Sequence, residues 1–230
     1  MAKKVFLGVG HGGKDPGAVA NGFEEADLNL QIALACQKEL IRHGVTVGIS
    51  RTKDENDELP EEIKECNAFA PDLAVDIHNN AGGGDGAEAF HEIKGGTSKT
   101  LATNIINEIV KIGQNSRGIK TKKNSLGKDW FGFIRQTNAP AVLVECAFVD
   151  NKEDIKIIDT LAEQQKMGVA IAKGILKTLG ITYKAETQTT GKKKRYRVVA
   201  GSFDSRKNAD VRVAELKKAG FESFIDIIEI

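Results

Sequence analysis

Apolar residues follow two rhythms along this chain, and the rhythms predict where strands and helices lie. Short apolar runs at 5–9, 45–50, 72–77, 87–93, 131–135 and 141–146 read as strands. Leu30, Ala33, Leu34, Gln37, Leu40 and Ile41 keep a three-four spacing that predicts a helix over 25–43, with Gly44 as its stop. Similar spacing predicts helices over 98–112 and 161–179, the second closed by Gly180, and shorter helical stretches at 60–67 and 153–158. The stretch after residue 112 is rich in Lys, Asn and Gly and reads as a loop. Strands alternating with helices predict an α/β layered domain with a mostly parallel sheet flanked by helices. In such sheets ligand sites gather beyond the carboxyl ends of the strands.

The rhythm stops after residue 182. Residues 183–193 have no apolar period and read as a linker. Beyond it, 194–230 predicts a small βαβ unit: a strand over 196–203, a helix capped by Ser205 and running through Ala209, Val213 and Leu216 to Gly220, and a strand over 221–228. Two strands and one helix bury little surface alone. The division expected is therefore a body at 1–182, a linker, and an appendage at 194–230.

Charge supports that division. The whole chain carries a formal net charge of +1, so no global field selects nucleic acid as a partner. From Tyr183 onward, however, eleven Lys and Arg face seven Asp and Glu. The cysteines Cys36, Cys66 and Cys146 are odd in number and far apart, which predicts buried thiols rather than a disulfide framework. The first apolar run is short, Gly-rich and followed at once by His11, unlike a secretory leader. No stretch has the length to insert into a membrane. The expectation is synthesis in the cytoplasm without a signal peptide.

Chemistry concentrates at the ends of three of these runs. Gly10-His11-Gly12-Gly13 follows the first strand, Ile77-His78-Asn79-Asn80 ends another, and Val144-Glu145 ends a third, while Glu25 opens the first helix. Two imidazoles and two carboxylates in these places form the ligand set of a catalytic zinc with one carboxylate to spare for proton transfer. A carboxylate closing an apolar strand is costly to bury unless a metal, a cation or hydrogen-bond donors meet it.

Four segments in order resemble the zinc-dependent N-acetylmuramoyl-L-alanine amidases, peptidoglycan hydrolases of the kind found among phage endolysins and sporulation lytic amidases. They are the segment from His11 to Ala18 (His-Gly-Gly-Lys-Asp-Pro-Gly-Ala), that from Glu25 to Leu30 (Glu-Ala-Asp-Leu-Asn-Leu), that from Asp72 to Ala81 (Asp-Leu-Ala-Val-Asp-Ile-His-Asn-Asn-Ala) and that from Pro140 to Phe148 (Pro-Ala-Val-Leu-Val-Glu-Cys-Ala-Phe). The resemblance implies that His11, Glu25 and His78 hold Zn2+ and that Glu145 is the general base for a zinc-activated water. It further implies cleavage of the amide between N-acetylmuramic acid and the L-alanine of the stem peptide, in host or mother-cell lysis. Glu24 is the rival ligand, and the family register selects Glu25. Where the family often carries an arginine this chain has Glu62, a departure expected to affect local helix pairing.

Other polar residues are candidates of a second rank. Asn80 and Arg135 are placed as substrate-binding residues, Arg135 by pairing with a stem-peptide carboxylate. His91 lies near the expected cleft, and His43 sits where it complements a helix dipole. Residues 194–230 resemble one half of a SPOR repeat, a glycan-binding module, through the segments from Tyr196 to Phe203 and from Asn208 to Phe221. A half-module leaves two arrangements open, a homodimer in which two chains complete one module or docking of the half-module on its own catalytic part, with peptidoglycan as the partner and the wall reached after release from the cell. Two other readings use the same residues: a peptidoglycan-binding module without catalysis, and a zinc peptidase acting within the stem peptide.

Overall fold

Strand β1 (Lys4–Val9) is buried from Val5 onward because it lies inside a sheet. It pairs in parallel with β4 (Thr46–Ile49) on one side and β5 (Leu73–Asn80) on the other. Next to β5 runs β8 (Ala141–Phe148), again parallel; β6 (Ala87–His91) then pairs antiparallel with β8, and β7 (Ser116–Lys120) lies beside β6 at the edge. The sheet order is β4-β1-β5-β8-β6-β7. A short hairpin, β2 (Val19–Ala20) with β3 (Phe23–Glu24), turns at Asn21 and Gly22, whose φ of 52° and 82° suit the Asn-Gly pair. This computed structural model describes residues 2–185 and 201–221, and the chain divides into two units, Met1–Ala185 and Glu186–Ile230.

Alternation along the strands divides the core in two. Val5, Leu7, Val75, Ile77, Val142 and Val144 face helices α1 (Glu25–Arg42), α3 (Thr97–Val110) and α5 (Leu161–Thr178). Helix α5 lies close to both others because it carries glycines at the crossings. A Cβ on Gly168 would stand 2.3 Å from the Ile32 carbonyl oxygen, and one on Gly174 would stand 2.5 Å from Ile105 Cα. The opposite face is thinner. Phe6, Ala74, Ala141 and Leu143 meet Ile63 and Cys66 of α2 (Leu59–Phe69) and Phe133 and Ile134 of α4 (Gly132–Gln136). Further along that face the residues turn polar, with Asp76, His78 and Asn80 after Ala74, and Glu145 after Leu143.

Most predicted elements stand where the apolar rhythm puts them, and all three cysteines are buried and free. Three differ. The run at 131–135, expected as a strand, is helix α4: Phe133 and Ile134 share one buried face, and the Thr137 hydroxyl closes the turn on the Phe133 carbonyl at 2.8 Å. The stretch after residue 112 holds strand β7 rather than only loop. The helical stretch at 60–67 extends to the full α2, with Pro60 in its first turn. A single-turn 3-10 helix at Asp154–Ile157 stands where 153–158 was expected to be helical.

In the second unit, helix α6 (Arg206–Lys218) follows Ser205, and Ala209, Val213 and Leu216 are its half-buried positions. The strands expected over 196–203 and 221–228 lie outside the described residues, apart from 201–203 and Phe221, which carry no strand. Among the described residues no helix is long and apolar enough to cross a membrane.

Candidate active site

Glu25 is the hub of the site. It opens α1 and is buried, with its carboxylate turned back over the strand ends. Oε1 stands 3.3 Å from His11 Nε2 and 3.1 Å from His78 Nδ1, and accepts from the backbone N–H of Asn79 at 3.1 Å. Oε2 accepts from the backbone N–H of Ala18 at 3.0 Å. Burial opposes the charge on this carboxyl, but the His11 and His78 contacts win and hold it well below the usual carboxylate range. Glu24, the alternative, is exposed and is the residue just before the helix.

His11 reaches Glu25 by way of an unusual backbone. Its φ is 63°, in the left-handed region that non-glycine residues rarely occupy, and Gly12 and Gly13 follow with φ of 135° and 61°. Arg51 clamps the loop from below, fully buried, donating to the carbonyls of Val9 at 3.1 Å, Gly10 at 3.3 Å and Ala26 at 2.7 Å. One guanidinium thus ties the residue before His11 to the residue after Glu25. Asn29 adds a bond to the Gly10 carbonyl at 3.0 Å and accepts from Asn79 at 2.8 Å. Asp15 accepts from His11 Nδ1 at 2.8 Å, so the Nε2 edge faces Glu25.

His78 lies two residues before the end of β5, and its ring stands edge-on to that of His11, with centroids 5.1 Å apart at 81°. Gly10 makes room for it: a Cβ there would lie 2.1 Å from the imidazole. One nitrogen of each histidine and one oxygen of Glu25 lie within 4.8 Å of one another. Two imidazoles aimed at one carboxylate oxygen make a donor set suited to a divalent cation, and two nitrogens with one oxygen fit zinc.

Glu145 is His78's register partner on β8, so both side chains rise from the same face. Oε2 is buried with no hydrogen-bond partner among the described residues. Burial pushes this carboxyl up to about 7, against the opposing pull of His78. On its other side Glu88 of β6 is the register partner, buried and paired with Arg117 at 2.7 Å and with Lys120.

Of the second-rank candidates, Asn80 lies near this cluster, with its amide nitrogen donating to Glu88 at 3.2 Å. Arg135 is exposed on α4, and its Nη1 donates to the carbonyls of Asp129 and Trp130, each at 2.7 Å. His91 is buried with Nδ1 2.8 Å from the Glu92 carbonyl, and His43 meets the Glu39 carbonyl at 2.9 Å and stacks on Tyr183. Glu62, expected to bear on helix pairing, instead points from α2 over Gly8, beside Asp76. Sequence reasoning did not single out Arg51, Asn29, Asn79 or Asp76. The signal for Arg51 was a cation directly after a strand in the chain's first half.

Residues 5–177 match the family described as N-acetylmuramoyl-L-alanine amidase, and residues 171–226 match the SPOR domain, the two overlapping inside α5. The chain is similar to a sporulation-specific N-acetylmuramoyl-L-alanine amidase of Bacillus subtilis, at 31% identity over 96% of this chain and 84% of the relative. It is also similar to an endolysin of Bacillus phage SPP1, at 34% identity over 80% of this chain and 69% of the relative. Among solved structures, Cwp6 from Clostridium difficile superposes with a TM-score of 0.76 at 38% identity, over 78% of this chain and 30% of that one.

Proposed function

This chain belongs to the N-acetylmuramoyl-L-alanine amidase family, and we propose that His11, Glu25 and His78 hold zinc while Glu145 moves the protons of the reaction. The enzyme is a peptidoglycan hydrolase that cuts the amide between N-acetylmuramic acid and the L-alanine of the stem peptide. The observation that carries the site assignment is the convergence of His11 Nε2 and His78 Nδ1 on a single Glu25 oxygen, beside a half-buried Glu145 whose Oε2 is buried and has no hydrogen-bond partner among the described residues.

When bound, zinc supplies Lewis acidity, which polarises the amide carbonyl and lowers the pKa of water. Glu145 Oε2 takes the proton from the attacking water as its oxygen bonds to the lactyl carbonyl carbon. The same oxygen then returns that proton to the L-alanine nitrogen as the C–N bond breaks, and the second water proton passes from the new carboxyl to the amine, leaving a muramic carboxylate and an alanyl ammonium. A carboxyl brought near neutrality by burial is suited to both transfers. Arg51 and Asn29 fix the turn that presents His11, and the Asn79 and Ala18 N–H groups fix Glu25.

In this reading Asn80 and the exposed guanidinium of Arg135 contact substrate, Arg135 by pairing with a stem-peptide carboxylate. Residues 183–193 link the catalytic part, 1–182, to a wall-binding half-module at 194–230, and two chains pair their half-modules in a homodimer. A mass of one chain by light scattering at tens of micromolar would refute the pairing. Action on the wall follows release from the cell in this reading; the relatives bear the names of a sporulation-specific amidase and an endolysin.

The test is a digest of purified peptidoglycan with and without chelator, and with Glu145→Ala, read by mass spectrometry. Intact stem peptides with free N-terminal L-alanine, released only with metal and Glu145, are expected. Shorter fragments would identify a peptidase, and wall binding without products would identify a binder.

A further inference from the structure

Each imidazole of the site has a second nitrogen, and each second nitrogen faces an aspartate. For His11 the pair is Nδ1 with Asp15 at 2.8 Å. For His78 it is Nε2 with Asp76 Oδ1 at 3.4 Å, a distance long for a hydrogen bond. Asp76 lies two residues before His78 on β5, so both side chains rise from the same face of the sheet. Only 2% of Asp76 is exposed, and its Oδ1 has no hydrogen-bond partner among the described residues.

Behind Asp76 stands a second carboxyl in the same condition. Glu62 reaches in from α2, 5% exposed, with Oε1 also unpartnered. The two meet over Gly8 of β1, where a Cβ would lie 2.2 Å from Glu62 Oε1 and 2.8 Å from Asp76 Oδ1. Two buried carboxyls facing each other destabilise a fold unless something else uses them. Burial and the neighbouring Asp76 push Glu62 well above the usual carboxylate range, which leaves it a proton to share with Asp76.

We propose that Asp76 is a positioning residue: its carboxylate receives the Nε2–H of His78 and so commits Nδ1 to the zinc site, while Glu62 braces Asp76 from the far side. The proposal rests on the reading of His11, Glu25 and His78 as zinc ligands. A carboxylate behind a ligating imidazole fixes the tautomer and ring angle and raises ligand basicity. The 3.4 Å contact is the open form of that bond, and it shortens when Nδ1 gives its lone pair to a cation. Asp76 and Glu62 then serve ligation at the expense of the fold, which separates this role from a structural one.

The experiment compares wild type, Asp76→Ala and Asp76→Asn in the full chain by three measurements. These are zinc affinity by competition with a chromophoric chelator, melting of the metal-free protein, and the nitrogen-15 spectrum of the His78 ring in the zinc-loaded protein. Asp76→Ala is expected to weaken zinc binding about 10–100-fold while the metal-free protein melts no lower than wild type. Asp76→Asn keeps an acceptor for the same N–H and is expected to recover most of the loss. An alanine variant within about threefold of wild type, against that 10–100-fold expectation, overturns the proposal, as does an asparagine variant as weak as alanine. If Asp76→Ala does not fold, the wild-type ring decides: metal on Nδ1 with a protonated Nε2 supports the proposal, and metal on Nε2 overturns it. Wild type that binds no zinc would remove the zinc reading itself, a result distinct from tight binding that ignores Asp76.

Discussion

The two faces of the sheet are built from the same strands and serve opposite ends. On the face under α1, α3 and α5, Val75, Ile77, Val142 and Val144 are buried among aliphatic side chains that satisfy no chemistry beyond exclusion of water. On the other face the alternate residues of the same strands are Asp76, His78 and Glu145, and the apolar cover ends at Ala74 and Leu143. Three buried carboxylate oxygens there, on Glu62, Asp76 and Glu145, lack hydrogen-bond partners among the described residues. One face stabilises the fold, and the rigidity it confers lets the other hold charges that a looser structure would release into water. A period of two along each strand allows both without compromise.

Breaking the comparison should therefore give two kinds of damage. The largest effect is expected on the polar face: Glu145→Gln lowers kcat about 10²–10⁴-fold, with zinc content and melting temperature kept, as metal analysis and calorimetry would show. On the apolar face Ile171→Ala is expected to cost about 2–5 kcal/mol in stability, because Ile171 is fully buried. Activity per folded molecule should stay at the wild-type level, measured by urea unfolding beside turnover. Gly174→Ala comes next, at about 1–3 kcal/mol from overpacking against Ile105, with the same separation from kcat.

A pH profile sharpens the contrast. In the proposed mechanism Glu145 works as a carboxylate base, so kcat/KM should fall as pH drops through its pKa, which burial raises to about 7. A cation held by His11, Glu25 and His78 favours the carboxylate form, so the midpoint in zinc-loaded enzyme should lie below 7, and the slope should approach about tenfold per pH unit. A pH-independent rate between 5 and 8 would show that Glu145 is not the titrating base. The smallest effect belongs to α6, where Asp210→Ala removes the exposed Arg206–Asp210 pair. It should change stability by no more than about 0.5 kcal/mol and leave turnover unchanged.

Much of this arrangement could be read from the chain alone. His11, Glu25, His78 and Glu145 each end a strand pattern or begin a helix pattern, and four polar residues interrupting apolar periods leave a visible mark. The central strands were visible for the same reason, since burial on both faces makes an apolar run. Strand β7 escaped because it is an edge strand with Arg117, Gly118 and Lys120 among its five residues, paired along one side alone. Helix α4 was misread because a single turn shows too few residues to separate a period of 3.6 from alternation. Arg51, Asn29 and Asp76 were hidden for another reason: their roles depend on which carbonyl or imidazole lies beside them, and the partners come from segments 19 to 42 residues away or from a neighbour two positions on.

Strand β8 is the last strand of the sheet in chain order, yet it lies in the middle, between β5 and β6. During synthesis the sheet consequently stays open along its centre until residues 141–148 have left the ribosome. His11, Glu25 and His78 emerge early, but Glu145, the base of the proposed mechanism, and the strand that aligns it arrive together and late. In the proposed mechanism a nascent chain stalled before Ala141 thus carries the proposed ligands without the base, and the ability to cut the wall would appear only near the completion of the domain.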